Sequence, residues 1–219
     1  MGVRAEVINL IISFLSDRSH NTKIKGKFSN FLNISCGVPQ GTVGGPKLFV
    51  ILINGVKCDF VKNYKFVDDK TLVHSYSGDP STILQQALDI ETLETVKDKM
   101  IVNESKCNVL NFNYSGKNNV PVNLKLNGNL IKSVSSIKLL GVIITDDLKW
   151  EENTSLICTK VNRKLYIISK LKAFGLQIEE LMTFWKVVLR PITEYATPLW
   201  HSGLSDTDNN KIEKLQKKY

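Results

Sequence analysis

From "SLICTKVNRKLYIISKLKAFG" onward, every periodic stretch of the chain has helical spacing, whereas the residues before it mix isolated helices with short strand-like pieces. That change of character constrains the fold more than any other feature. It implies an α+β unit followed by an all-helical module, with a boundary near Trp150. In the first part, Val7, Ile8, Ile11, Ile12 and Leu15 recur at helical spacing within residues 2 to about 17. "NTKIKGKFSNFLNIS" alternates and pivots at Gly26, the pattern of a β-hairpin, and a second hairpin is expected over roughly 63–76. "KLFVILINGV" reads as a buried helix or strand. A helix over 81 to about 100 is expected to turn Leu84, Leu88, Leu93 and Val96 inward. Strand-like pieces follow at "CNVLNF", "VNLKLNG" and "SIKLLGVII". Two further helical stretches, "IEELMTFWKVVLRPITEYATPLW" and "DNNKIEKLQKK", complete the C-terminal module.

The 219 residues carry a net charge of +8, with a pI near 9.2. Such a balance points to a polyanionic partner, nucleic acid or an anionic membrane surface, or else serves solubility alone. The apolar run "VINLIISFL" is too short to span a bilayer, which leaves no membrane segment. "SDR" follows it where a secretory cleavage site needs small residues, so the chain is expected to stay inside the cell. Cys36, Cys58, Cys107 and Cys158 form no C-x-x-C pair, which argues against a zinc site or a disulfide framework. They read as small core residues in a reducing compartment.

Two stretches carry candidate chemistry. "YKFVDDKTLV" sets Asp68 and Asp69 between two runs that read as strands. A tight turn there brings two carboxylates toward one mouth. That suits Mg²⁺, a hard cation that takes one or two protein carboxylates and leaves its other positions to phosphates and water. The same residues also suit a plain hairpin turn, where aspartate makes its own local hydrogen bonds. "GVPQGTVGGP" is a glycine-rich loop in which backbone can approach a ligand, Pro39 stiffens the chain and Gln40 offers a two-sided amide. It is either such a loop or a simple turn between a strand and a helix. A phosphate-binding P-loop is excluded, because Gly41 leads to Pro46-Lys47-Leu48.

Taken in order, "GVPQG", "FVDD", "NESKCNVLNF", "KLLGV" and "LRPITEYATPLW" resemble the motif succession of a reverse transcriptase, and specifically the polymerase of non-LTR retrotransposons. The likeness covers nearly the whole chain, and the order is more specific than any one piece. It implies a partial polymerase palm, an antiparallel sheet with helices, over residues 1–149, and a helical thumb-like module over 150–219. It also implies RNA-templated DNA synthesis, with Mg²⁺ as cofactor and an RNA template and DNA primer duplex as partners. Asp68 and Asp69 match the acidic pair of the metal site, with Asp68 as the direct ligand. Pro39, Gln40 and Gly41 match the loop beside the incoming nucleotide and template. Lys106 matches a lysine that protonates the departing pyrophosphate; otherwise it is an exposed lysine before a strand. Leu140 and Gly141 match the hairpin that grips the primer end, or are a core leucine and a turn glycine. Lys160, Arg163 and Lys164 lie on the first thumb-like helix. There they either follow the phosphate backbone or form a solvated charged face.

The departures from the family pattern carry expectations too. Gly44 and Lys47 stand where the family has leucine, and Gly55 where it has aspartate. The glycines are expected to weaken a buried helix by up to ~1 kcal/mol each, and Lys47 to need its ammonium in water. The family's third carboxylate, an aspartate within "D-x-S-K-A-F-D" on an earlier strand, has no match, and neither Glu6, Asp17 nor Asp59 is expected to replace it. Two-metal transfer clamps two cations about 3.5–4 Å apart between shared ligands. The fragment alone is therefore expected to be inactive or very weak. The alternative is a non-catalytic nucleic-acid-binding protein that uses the basic thumb-like helix.

Overall fold

Short strands joined by two-residue turns, and then a run of helices, make up the structure, a computed structural model that describes residues 2–55, 60–76, 81–112 and 122–217. The mixture is α+β, as expected. It divides into two compact units, Met1–Ser75 with Gln86–Val102, and Tyr76–Gln85 with Asn103–Tyr219.

The first unit opens with α1 (Ala5–Leu15). A two-part hairpin follows. Its outer strands β1 (Arg18–His20) and β4 (Leu32–Ile34) pair antiparallel, and so do its inner strands β2 (Lys23–Ile24) and β3 (Lys27–Phe28). Lys25 and Gly26 both take positive φ, 47° and 83°, which is why the alternation pivots there. The Arg18 guanidinium donates to the Gly37 carbonyl at 2.6 Å and ties this hairpin to the glycine-rich loop. Next come α2 (Gly44–Asn54), the antiparallel hairpin of β5 (Lys62–Phe66) and β6 (Asp69–Val73), and α3 (Ser81–Lys97), which belongs to this unit from Gln86 on.

Two expectations of burial fail here. "KLFVILINGV" is helical but not buried: Gly45 is the buried residue of α2, while Ile51 is 70% exposed. Lys47 does reach water. Helix α3 turns Ala87 and Glu91 inward, whereas Leu93 and Val96 are exposed and Leu84 and Leu88 are half-buried. The reason is polar: Glu91, one turn after Ala87, pairs with groups on the β5–β6 hairpin. Of the cysteines expected in the core, only Cys158 packs against one among the described residues. Cys36 is exposed and Cys107 and Cys158 are half-buried, all as free thiols; Cys58 lies outside the described residues.

In the second unit, β8 (Lys125–Leu126) and β9 (Asn129–Leu130) form one antiparallel hairpin, and β11 (Ser136–Leu139) and β12 (Val142–Thr145) another. β7 (Asn108–Leu110) instead runs parallel to β10 (Lys132–Val134). A parallel pair cannot be joined by a tight turn, and the β8–β9 hairpin lies between the two strands in sequence. Among the described residues the strands form two-stranded pairs rather than the one antiparallel sheet expected.

The helices are α4 (Glu151–Ala173), α5 (Ile178–Phe184), α6 (Arg190–Glu194), α7 (Thr197–Trp200) and α8 (Asp206–Gln216). The stretch expected to be helical over 178–200 is divided into several short helices. A π turn at Trp185–Leu189 precedes Pro191, whose missing N–H cannot continue the ladder, and Ala196 takes a left-handed φ of 54° just before α7. Ile157, Val161, Leu165 and Ile168 form a buried stripe on α4, at i, i+4, i+8 and i+11. The stripe packs with Val142, Leu189, Trp200, Ile212 and Leu215 into one core. The Trp200 indole N–H donates to the Tyr195 carbonyl at 2.9 Å. Ahead of α4, Asp147 accepts from the Lys149 backbone N–H and the Thr145 hydroxyl, which together pull its carboxyl down to about 2. No described helix is long and apolar enough to cross a membrane.

Leu165 is 4% exposed at the centre of this stripe. Leu165→Ala is expected to cost about 2–5 kcal/mol of stability, the transfer of the lost atoms plus the cavity left behind. A urea titration followed by tryptophan fluorescence reads this as a lowered midpoint; an unchanged midpoint would contradict the packing described.

Candidate functional site

β5 and β6 are paired from Lys62↔Val73 to Phe66↔Asp69, which leaves Val67 and Asp68 as the two residues of the turn. Val67 takes a φ of 54°. A β-branched side chain in the left-handed region is strained, at a cost of roughly 1–2 kcal/mol. Such strain persists only where neighbouring structure over-determines it. The turn therefore fixes Asp68 at the tip and Asp69 at the first position of β6, with both carboxylates exposed.

What over-determines this turn is a set of polar links behind it. The pairing sets Lys65 opposite Lys70, two like charges that would repel. Each is drawn to a different acceptor. The Lys65 ammonium donates to the Ile53 carbonyl at the end of α2, 2.6 Å away. Lys70 forms an ion pair with Glu91 on α3. The other Glu91 oxygen accepts from the Asn63 side-chain amide at 2.9 Å, so one carboxylate holds both strands. Glu91 is 5% exposed, and a carboxylate so buried is tolerated only with partners of this kind.

The glycine-rich loop is braced in the same unit. The Thr42 hydroxyl donates to the Pro39 carbonyl at 2.9 Å and accepts from the Gly45 N–H at 3.1 Å. A Cβ on Gly45 would lie 2.8 Å from the Pro39 carbonyl oxygen, so the close approach requires glycine. Gly41 takes a φ of 75°. Pro39 is half-buried, while Gln40 and Gly41 are exposed.

The remaining predicted residues belong to the second unit. Lys106 ends a 3₁₀ turn, Glu104–Lys106, and is exposed. Its neighbour Glu104 is the structural anchor of "NESK". Its carboxylate accepts from the side-chain amides of Asn127 at 2.6 Å and Asn129 at 2.7 Å, across the β8–β9 turn. The Asn129 and then the Asn127 hydrogen bond lower its carboxyl below the usual range.

Leu140 and Gly141 are the two turn residues between β11 and β12, with φ of 47° and 91°. The Tyr195 hydroxyl donates to the Leu140 carbonyl at 2.7 Å, and its ring would lie 3.3 Å from a Cβ on Gly141. Leu140 is exposed at the turn, not a core leucine. Lys160, Arg163 and Lys164 are exposed on α4 at i, i+3 and i+4, and flank its buried stripe.

Asp68 and Asp69 provide hard oxygen donors, so they fit one divalent cation that completes its shell with phosphate and water. Among the described residues, no group of three or more His, Cys, Asp or Glu side chains could hold a metal ion. Glu6 and Asp17 join no such group, and Asp59 lies outside the described residues. Sequence reasoning missed Glu91, Glu104, Gly45 and Tyr195. Gly45, Glu104 and Tyr195 carried a signal in their places within "GVPQGTVGGP", "NESKCNVLNF" and "LRPITEYATPLW", whereas Glu91 carried none.

A family model described as "Reverse transcriptase (RNA-dependent DNA polymerase)" matches residues 2–144. The chain is similar to the RNA-directed DNA polymerase from mobile element jockey of Drosophila melanogaster, at 24% identity over 95% of this chain and 24% of that protein. It is also similar to the probable RNA-directed DNA polymerase from transposon X-element of the same species, at 22% identity over 98% of this chain and 24% of that protein. The jockey polymerase of Drosophila funebris is 25% identical over 97% of this chain and 24% of that protein. The chain spans about a quarter of the length of these curated relatives. No solved structure matches it significantly.

Glu91→Ala is expected to loosen the acidic hairpin. It removes the Glu91 carboxylate from Lys70, which faces Lys65, at a cost of about 1–3 kcal/mol, discounted because Lys70 is partly exposed. Amide hydrogen exchange over 62–73 checks this: the exchange should accelerate there and stay unchanged over β11 and β12.

Proposed function

Because the chain belongs to the reverse transcriptase family, in its non-LTR retrotransposon branch, we propose that it forms most of a polymerase palm, residues 1–149, and a helical thumb-like module, residues 150–219. The parent reaction is RNA-templated DNA synthesis: the primer 3′-OH attacks a deoxynucleoside triphosphate and pyrophosphate leaves. The observation that carries this reading is the Val67–Asp68 turn, which holds two exposed carboxylates at the tip of a braced hairpin. Mg²⁺ held there would neutralise charge on the phosphates and the attacking oxygen.

The other residues take supporting roles. The braced loop at Pro39, Gln40 and Gly41 presents backbone and an amide to the nucleotide and template. Lys106 supplies a proton to the departing pyrophosphate. Leu140 and Gly141, held by Tyr195, contact the primer end. Lys160, Arg163 and Lys164 neutralise phosphates of the RNA–DNA duplex. With two carboxylates and no third ligand among the described residues, a bridged ion pair is not assembled, so this chain alone is inactive or very weak.

Two measurements on the purified chain test this reading. On an RNA template with a DNA primer and Mg²⁺, extension should be absent or marginal; robust synthesis that disappears in Asp68→Ala would contradict the inactivity. Binding of the same duplex should weaken steeply with salt. Replacing Lys160, Arg163 and Lys164 by glutamine should reduce the slope of log K against log salt by about 2–3, roughly 0.9 for each phosphate that is no longer neutralised. An unchanged slope would remove α4 from the duplex interface.

A further inference from the structure

Within the second unit, the β11–β12 turn, residues 153–160 of α4 and residues 191–195 line an open cavity of about 320 Å³. Its walls are mainly apolar, with Leu156, Ile157 and Ile192 among them, and its polar groups are few and differently placed. Asn153 is 3% exposed. Its Oδ1 accepts from the Ile143 N–H at 3.2 Å, but its Nδ2, also buried, has no partner. Lys160 lies at the mouth, exposed and two helical turns from Asn153. Tyr195 forms part of the rim, and its hydroxyl is already committed to the Leu140 carbonyl, so its ring is held as a fixed flat platform.

The combination specifies a ligand. A buried amide donor without an acceptor keeps its full desolvation penalty, which a ligand oxygen would relieve. The apolar walls and the fixed ring call for a flat, weakly polar body, and the cation at the mouth calls for an anion attached to it. The volume lies at the small end of ligand pockets, about 300–1,000 Å³, and suits one nucleotide rather than a duplex. An aromatic platform beside a cation is also how proteins hold single unpaired bases.

We infer that this cavity holds one unstacked nucleotide of a nucleic-acid strand, its base against Tyr195, a base carbonyl accepting from Asn153 Nδ2, and its phosphate at Lys160. The inference rests on nucleic acid being the partner, as in the reading above, but requires no metal and no catalysis. Asn153 and Lys160 lie on one face of α4, so a single helix sets the distance between the base contact and the phosphate contact.

The test is a titration of the ¹⁵N-labelled chain with dTMP, with thymidine and inorganic phosphate as separate probes. The Asn153 side-chain signal, assigned by its loss in Asn153→Asp, should shift on addition of dTMP. Asn153→Asp keeps an acceptor for the Ile143 N–H and removes the donor; it should weaken dTMP binding tenfold or more. Lys160→Gln, at an exposed position that does not threaten the fold, should weaken dTMP similarly and leave thymidine unaffected. Three results would each overturn the inference: an Asn153 signal that dTMP leaves unmoved, parent-like affinity in both variants, or phosphate alone displacing dTMP at equal affinity. A chain that still binds the RNA–DNA duplex while failing the dTMP test loses the cavity assignment and retains the polymerase reading.

Discussion

The buried stripe of α4 is the constraint on which the second unit depends. Once Ile157, Val161, Leu165 and Ile168 face Trp200, Leu189 and the C-terminal helix, the rest of α4 has no freedom in what it presents. Lys160, Arg163 and Lys164 must lie outward, and Asn153 must lie beneath the β11–β12 turn. The same packing places Tyr195 so that it can hold that turn in a conformation costly for leucine. The basic face and the set of the β11–β12 turn are thus consequences of one hydrophobic seam.

The first unit is held differently. Helix α1 buries no residue and α2 only a glycine, while Leu10, Ile12 and Ile51 remain exposed. Its strength comes from polar links: Arg18 to the glycine-rich loop, Thr42 within it, and Glu91 across the two strands of the acidic hairpin. Such links set direction well and contribute little net stability, because each replaces hydrogen bonds to water. This is a sufficient means of aiming two carboxylates. It is a weak means of resisting deformation, so the geometry of the acidic turn depends on Glu91 more than on any apolar contact.

The legible and illegible parts of the sequence divide along the same line. Features with a local period or a local turn signal were readable: the helix in residues 2 to 17, the pivot at Gly26, the hairpin around Asp68 and the "LLGV" turn all stand where the pattern set them. The order of motifs identified the family, because each is a short text read without knowledge of distance. Periodicity misled on α3, since it counts apolar residues, and the inward position there belongs to a glutamate whose partners lie more than twenty residues away. The parallel pairing of β7 with β10 was hidden for the same reason, as nothing local distinguishes it from an antiparallel neighbour. In the 178–200 stretch, Pro191 and Pro198 were visible, but the π turn and the left-handed Ala196 arise from packing.

The central proposal is that the Val67–Asp68 turn would hold a metal ion through two carboxylates, with no third such ligand among the described residues. Paramagnetic broadening of amide signals during Mn²⁺ titration tests it most directly. The account predicts broadening centred on Val67 to Lys70, weak and unsaturated, and abolished by Asp68→Asn. Tight saturable binding at this turn, or broadening that ignores the substitution, would contradict it.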